Sequence, residues 1–220
     1  MKKLLLLTLV LLVSGAMLAQ GSKETRVTKS ILAFHAGPSF PTGDFSSTDF
    51  ENVEAGFAKT GFNLNLTYAY QFHKNAGISS SIFYNRYRLN EDKINELFSD
   101  VAVDHWKFYG ITVGPMLTFD LAKNIAADLR VMGGAANVNS PSAQEHGELI
   151  LDEEWSWAPV LQGGLNLRFG TGNNIFVFTG LDYQYMKPKF DIEPIVGVIE
   201  DRVHQKISVL NLTGGIGIKF

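Results

Sequence analysis

Residues 59 to 71 read KTGFNLNLTYAYQ, with an apolar residue at every even position from 62. Phe62, Leu64, Leu66, Tyr68 and Tyr70 fall on one side, and Lys59, Asn63, Asn65, Thr67 and Gln71 on the other. A period of two over this length predicts a β-strand with one apolar and one polar face. The pattern returns in 77–88, 106–119, 125–137, 155–169, 175–185 and 207–220. A shorter stretch, 31–40, puts Leu32, Phe34 and Ala36 on one face, which brings the expected strands to eight.

The connections alternate too. HKN (73–75), LAKN (121–124) and GTGNN (170–174) are tight-turn sequences, rich in Asn, Lys and Gly. Between them lie long connections at roughly 41–57, 89–104, 140–154 and 187–205. Short and long take strict turns, so each hairpin has its turn on one side and its loops on the other. This predicts an all-β, eight-stranded antiparallel up-and-down β-barrel, with both chain ends on the tight-turn side.

Alternation does not say which face points outward. A soluble ligand-binding barrel would line its cavity with the apolar face. A transmembrane barrel would turn that face to lipid. The polar faces carry mostly Asn, Ser, Thr, Gln and Gly, whereas a water-facing exterior should be rich in Lys and Glu. Aromatics also gather at both strand ends on the apolar face. Tyr84, Tyr109, Trp157, Tyr183 and Tyr185 lie toward the long loops, and Tyr68, Tyr70, Phe119, Phe169 and Phe220 toward the tight turns. Two aromatic girdles are what a membrane barrel needs at its two interfaces. The expectation is therefore a transmembrane β-barrel spanning 30–220.

The chain begins with Lys2 and Lys3, an apolar stretch from Leu4 to Val13, and small residues from Ser14 to Ala19. That is the layout of a secretory signal peptide over 1–19, cut after Ala19 or, alternatively, after Ala16. Residues 20–29 would then be a short periplasmic lead. Losing the leader takes away two lysines and moves the formal charge from −3 to −5, which argues against nucleic acid as a partner. Absence of cysteine excludes disulfides, thiolate metal sites and a lipidated cysteine.

Two stretches carry resemblances. The ending LTGGIGIKF resembles the C-terminal signal of outer-membrane barrel proteins, with Leu212, Ile216, Ile218 and Phe220 on the apolar face. The resemblance implies recognition by the barrel-assembly machinery. GPSFPTGDF, residues 37 to 45, looks like the first strand end and loop of the outer-membrane β-barrel domain family of the Bacteroides group. In layout the chain is similar to the eight-stranded OmpA- and OmpX-like barrels. That implies an outer-membrane location with periplasmic termini, and brings no catalytic residue.

Candidate chemistry is sparse. His35, His73, His105, His146 and His204 are scattered and form no close ligand pair. A lipid-modifying enzyme would need a nucleophile beside a base, and the nearest pair, His204 and Ser208, would sit more than about 12 Å apart on a strand. No catalytic, cofactor or metal site is expected. Asp128, Arg130, Arg168 and Asp182 share the polar face of neighbouring strands, so they should pair as an ionic plug; a gate or proton path is the other reading. Of the 22 acidic residues, 18 lie in the four long loops. This crown reads either as plain solvation or as a site for divalent ions or a basic extracellular partner. Within the loops, Ile94, Leu97, Phe98 and Val101 have helical spacing, and IVGVI (195–199) suggests a hairpin above the membrane or a contact patch. The expected role is structural or interactive, through the loops, with membrane lipids around the wall. A narrow porin-like channel, a lipid-modifying enzyme and a soluble barrel are the alternatives.

Overall fold

A computed structural model describes residues 29–96, 101–145, 148–171, 174–192 and 201–220. The leader, its cleavage site, Leu97, Phe98, His146 and the IVGVI run lie outside the described residues. Eight strands form the wall: β1 (Lys29–Thr42), β2 (Gly61–His73), β3 (Ala76–Tyr87), β4 (Trp106–Ala122), β5 (Ile125–Asn139), β6 (Trp155–Gly170), β7 (Ile175–Met186) and β8 (Ile207–Lys219). Each pairs antiparallel with its neighbours in chain order, and β8 returns to pair with β1, so the sheet closes. The seam runs from Ile31 opposite Lys219 to Thr42 opposite Ser208. Below it, Ser30 and Phe220 exchange both backbone hydrogen bonds, at 2.8 and 2.9 Å.

The apolar faces point outward. Ile82 is 56% exposed and Leu161 58%, while Asn63, Gln162, Gln184 and Asn211 are fully buried. A soluble protein does the reverse. The inverted burial rules out an apolar ligand cavity lined by those faces.

Two details differ from the sequence reading. Gly37–Pro38 does not end β1, which continues to Thr42. Proline has no N–H to donate, and the pairing with β8 lapses at these two residues while that with β2 continues. Gly114–Pro115 interrupts the β4–β5 ladder in the same way. The second difference is the loop helix, which is one turn only, Glu91–Ile94. Val101 instead enters a short strand, Val101–Val103, that pairs with Ala143–Glu145 of the next loop. A turn this short gains little from its own hydrogen bonds, so cross-loop pairing prevails at Val101. Strands Lys189–Ile192 and Asp201–His204 pair as the arms of a hairpin in the fourth loop.

The first loop folds back into the barrel mouth. Gly43 takes φ +60, a left-handed conformation that glycine adopts freely, at the start of a 3-10 turn over Gly43–Ser46. This drives Phe45 inward, where it is fully buried against Tyr87 (ring centroids 5.2 Å), Trp106 (5.7 Å) and Phe108 (6.2 Å). The Trp106 indole N–H donates to the Gly56 carbonyl at 3.0 Å and fixes the returning chain. The GDF of the resemblance motif is thus the turn and cork of the mouth. Replacing Phe45 with Ala should cost about 3–5 kcal/mol, the usual range for emptying a buried phenyl site, read by urea unfolding in detergent micelles.

Candidate functional site

The lumen is filled in layers. At the loop end an apolar cluster includes Phe45, Phe83, Phe108, Val138, Val160 and Met186. At the tight-turn end Ile31, Met116, Phe176 and Phe178 form another. Polar side chains fill the space between. One register row carries Arg130, Gly164, Asp182 and Asn211 on β5 to β8. Gly164 has no side chain, so Arg130 reaches across it to Asp182 at 2.7 Å, both 1% exposed. A Cβ at Gly164 would collide with that carboxylate. Arg168 meets Asp128 through Nε at 2.6 Å and Nη2 at 2.8 Å. The four charges therefore form two pairs, and the lumen's Asp and Arg charges balance.

An amide network surrounds the pairs. Gln162 Nε2 donates to Asp182 at 3.2 Å, Gln184 Nε2 to Gln162 Oε1 at 3.3 Å, and Asn85 Nδ2 to Gln184 Oε1 at 2.8 Å. Ser39 links the Tyr87 hydroxyl to Asn211. Below, Gln71 donates to Thr118 at 2.7 Å and Thr118 to Asp128 at 2.8 Å. His35 is buried between Thr213 and Thr67, 3.1 Å from each hydroxyl. The space bordered by Ser79, Asp128, Arg130 and Arg168 measures about 20 Å³, room for about one water. Ser208 donates to the Thr42 carbonyl at 2.8 Å and accepts from the Thr42 hydroxyl at 3.0 Å. Sequence reasoning missed the apolar lids. Their signal was present, because Phe83 and Tyr87 lie in step with Ser81 and Asn85, and Phe108 in step with Thr112.

On the outer wall, Tyr84, Tyr109, Trp157, Tyr183 and Tyr185 are exposed toward the loops. Tyr68, Tyr70, Phe119, Phe169 and Phe220 are exposed toward the tight turns, and Leu212, Ile216 and Ile218 face outward on β8. Part of the acidic crown is engaged internally. Lys206 pairs with Glu54 and, at 3.3 Å, with Asp44, tying the fourth loop to the first. Lys59 pairs with Asp92 at 2.8 Å, and Lys107 with Asp104 at 2.6 Å. Burial works against the Asp104 charge, but hydrogen bonding with Lys107 and His105 brings its pKa down to about 2. The side chains of Asp100, Glu145, Glu148, Asp191, Glu193, Glu200 and Asp201 lie outside the described residues.

No family model and no curated protein sequence matches the chain. Solved structures do. Neisserial surface protein A superposes with TM-score 0.52 at 14% identity, over 87% of this chain and 97% of its own. A major outer membrane protein from Thermus thermophilus gives 0.52 at 8%, over 88% and 100%. Ail, the attachment invasion locus protein of Yersinia pestis, gives 0.51 at 18%, over 89% and 100%. The shared feature is the fold. This chain has the architecture of the eight-stranded outer-membrane β-barrels.

Two outcomes are expected. Asp182→Asn leaves the buried Arg130 charge without its counter-ion and should cost about 3–5 kcal/mol in urea unfolding, whereas Arg130→Met with Asp182→Leu should cost much less. The loop tie should also depend on pH. Hydrogen bonds from Asn52 and then Lys206 lower Asp44 below its ordinary 3.8, and one from Lys206 lowers Glu54 below 4.5. Hydrogen bonding to Glu54 and then Asp44 raises Lys206 above 10.5. Depressed acids stabilise above their ordinary values and stop doing so as pH falls through the depressed ones. The raised lysine stabilises below 10.5 and stops as pH rises through its raised value. With Trp155 and Trp157 changed to Phe, Trp106 emission should hold steady from 4.5 to 10.5 and shift red beyond either end. Lys206→Met, which removes the tie, should give the red-shifted emission between 4.5 and 10.5 as well.

Proposed function

We propose that this protein is an integral outer-membrane β-barrel whose role, structural or in surface interaction, is carried by its four long loops. The observation that carries the reading is the inverted burial: Ile, Leu, Val and Phe cover the outer wall while Asn, Gln, Asp and Arg fill the inside. An exposed apolar belt of that extent needs an apolar surround, and the closed sheet leaves no backbone edge for water to satisfy. The aromatics at both ends of the belt fit the two interfaces of a bilayer. The leader over 1–19 would deliver the chain to the periplasm. The assembly machinery would read Leu212, Ile216, Ile218 and Phe220. Termini and tight turns would face the periplasm, and the acidic loops the exterior. The reading includes no catalysis and no cofactor.

The narrow-channel alternative is opposed by the filled lumen, with about 20 Å³ of space beside the ion pairs and apolar residues at both ends. Outer membranes run on a denaturing gel should give a band that changes mobility on boiling. Purified barrel in a planar bilayer should show no steady conductance. A protein recovered with soluble periplasmic material would sink the membrane reading, and a stable open current would restore the channel. Altered lipid A or phospholipid in overproducing cells would instead point to a lipid-modifying enzyme.

A further inference from the structure

On the outer wall, β3 presents Ile78, Ile82, Tyr84 and then Arg86, with Arg88 just beyond the strand. Arg86 stands opposite Phe62 on β2 and Lys107 on β4. Tyr84, one outward position below, stands opposite Leu64 and Tyr109. The charge therefore begins where the loop-side girdle ends.

Arg86 and Arg88 line an open cleft of about 480 Å³ with Thr60, Phe62, Tyr84 and His105. Other cations nearby are already engaged, Lys107 with Asp104 and Lys59 with Asp92. Asp104 in turn is held by Lys107 and by His105, at 2.9 Å. Among the described residues neither arginine has a carboxylate partner. A second depression shares Thr60 and Arg88 with the cleft and continues along the wall past Phe40 and Pro41. The site thus joins two exposed guanidinium groups to an apolar, aromatic wall.

We propose that this cleft holds the phosphate monoester head group of a lipid in the loop-side leaflet, an inference that rests on the membrane reading above. A phosphate monoester carries up to two charges and presents several acceptor oxygens, which suits two planar five-donor forks. Its position selects a lipid over free phosphate. With the head group at Arg86 and Arg88, the acyl chains descend over Tyr84, Ile82 and Ile111, which are exposed on the wall below.

The test uses the mature protein in nanodiscs of phosphatidylcholine containing a minor share of phosphatidic acid, a lipid phosphate monoester. Folding is checked by the boiling-dependent gel shift, and retained lipid is read by native mass spectrometry. Wild type should retain phosphatidic acid about tenfold above its share in the bilayer. Arg86→Gln with Arg88→Gln should return to that share, and Arg88→Gln alone should fall between. Lys74→Gln with Lys123→Gln, in the tight turns at the opposite rim, should match wild type. Equal retention by wild type and the double arginine variant overturns the site. So does equal enrichment of phosphatidylglycerol, which has only a diester. Displacement by an equal concentration of inorganic phosphate would assign the cleft to soluble phosphate and overturn the lipid. A protein that stays outside the bilayer defeats the membrane reading as well; one that inserts without lipid preference defeats only this proposal.

Discussion

The structure depends on the pairing of its first strand with its last. Until β8 meets β1, the sheet has two open edges whose N–H and C=O groups need water. Once it closes, nearly all of the wall's hydrogen bonding is met within the sheet, and the exterior can be apolar. Every inversion of ordinary burial follows from that. The seam also gives Phe220 its place. Phe220 closes the backbone ring with Ser30 and places its own ring, 65% exposed, on the outer wall.

Closure creates a second problem, a narrow interior that must be filled. Eight strands leave room for side chains and little else. The chain fills it largely with groups that pair with each other. Gly164 illustrates how finely this is set, because the missing side chain on β6 is what lets Arg130 of β5 reach Asp182 of β7. Burying four charges would be costly if any stood alone. Paired, and bordered by Gln162, Asn166 and Thr118, they contribute a neutral core. Nothing in that arrangement needs to move, so it favours a plug over a path.

The strands were legible because period two is a local signal, repeated eight times with tight turns to mark its phase. The placement of Asp128, Arg130, Arg168 and Asp182 on one inward face followed from the same parity. Which Arg meets which Asp did not, since register between strands is set by the whole ring. Asp128 stands opposite Asn166, yet its partner is Arg168, two residues along. The apolar lids were half legible. Phe83 and Phe108 break the polar face, but alternation treats such a break as noise. Phe45 was hidden further, because its burial depends on a loop returning into the mouth, and a loop has no period to read. The cross-loop strand at Val101 overrode a local helical spacing for the same reason: its partner lies some forty residues on, at 143–145.

Taken together, these constraints move chemistry away from the axis and onto the rim. The lumen's Asp and Arg charges pair, many of its polar groups bond one another, and both ends are capped by apolar side chains. Lys59 and Lys206 in the loops and Lys107 at the start of β4 are likewise committed to acids. Arg86 and Arg88, which have no carboxylate partner among the described residues, lie outside the wall at the height where the apolar belt gives way to charge. A barrel built this way turns an apolar cylinder outward and carries exposed charge at the boundary above it. On the lipid reading proposed above, specificity is expected at the loop-side rim, where a change of one arginine should alter binding without disturbing the ring that holds it.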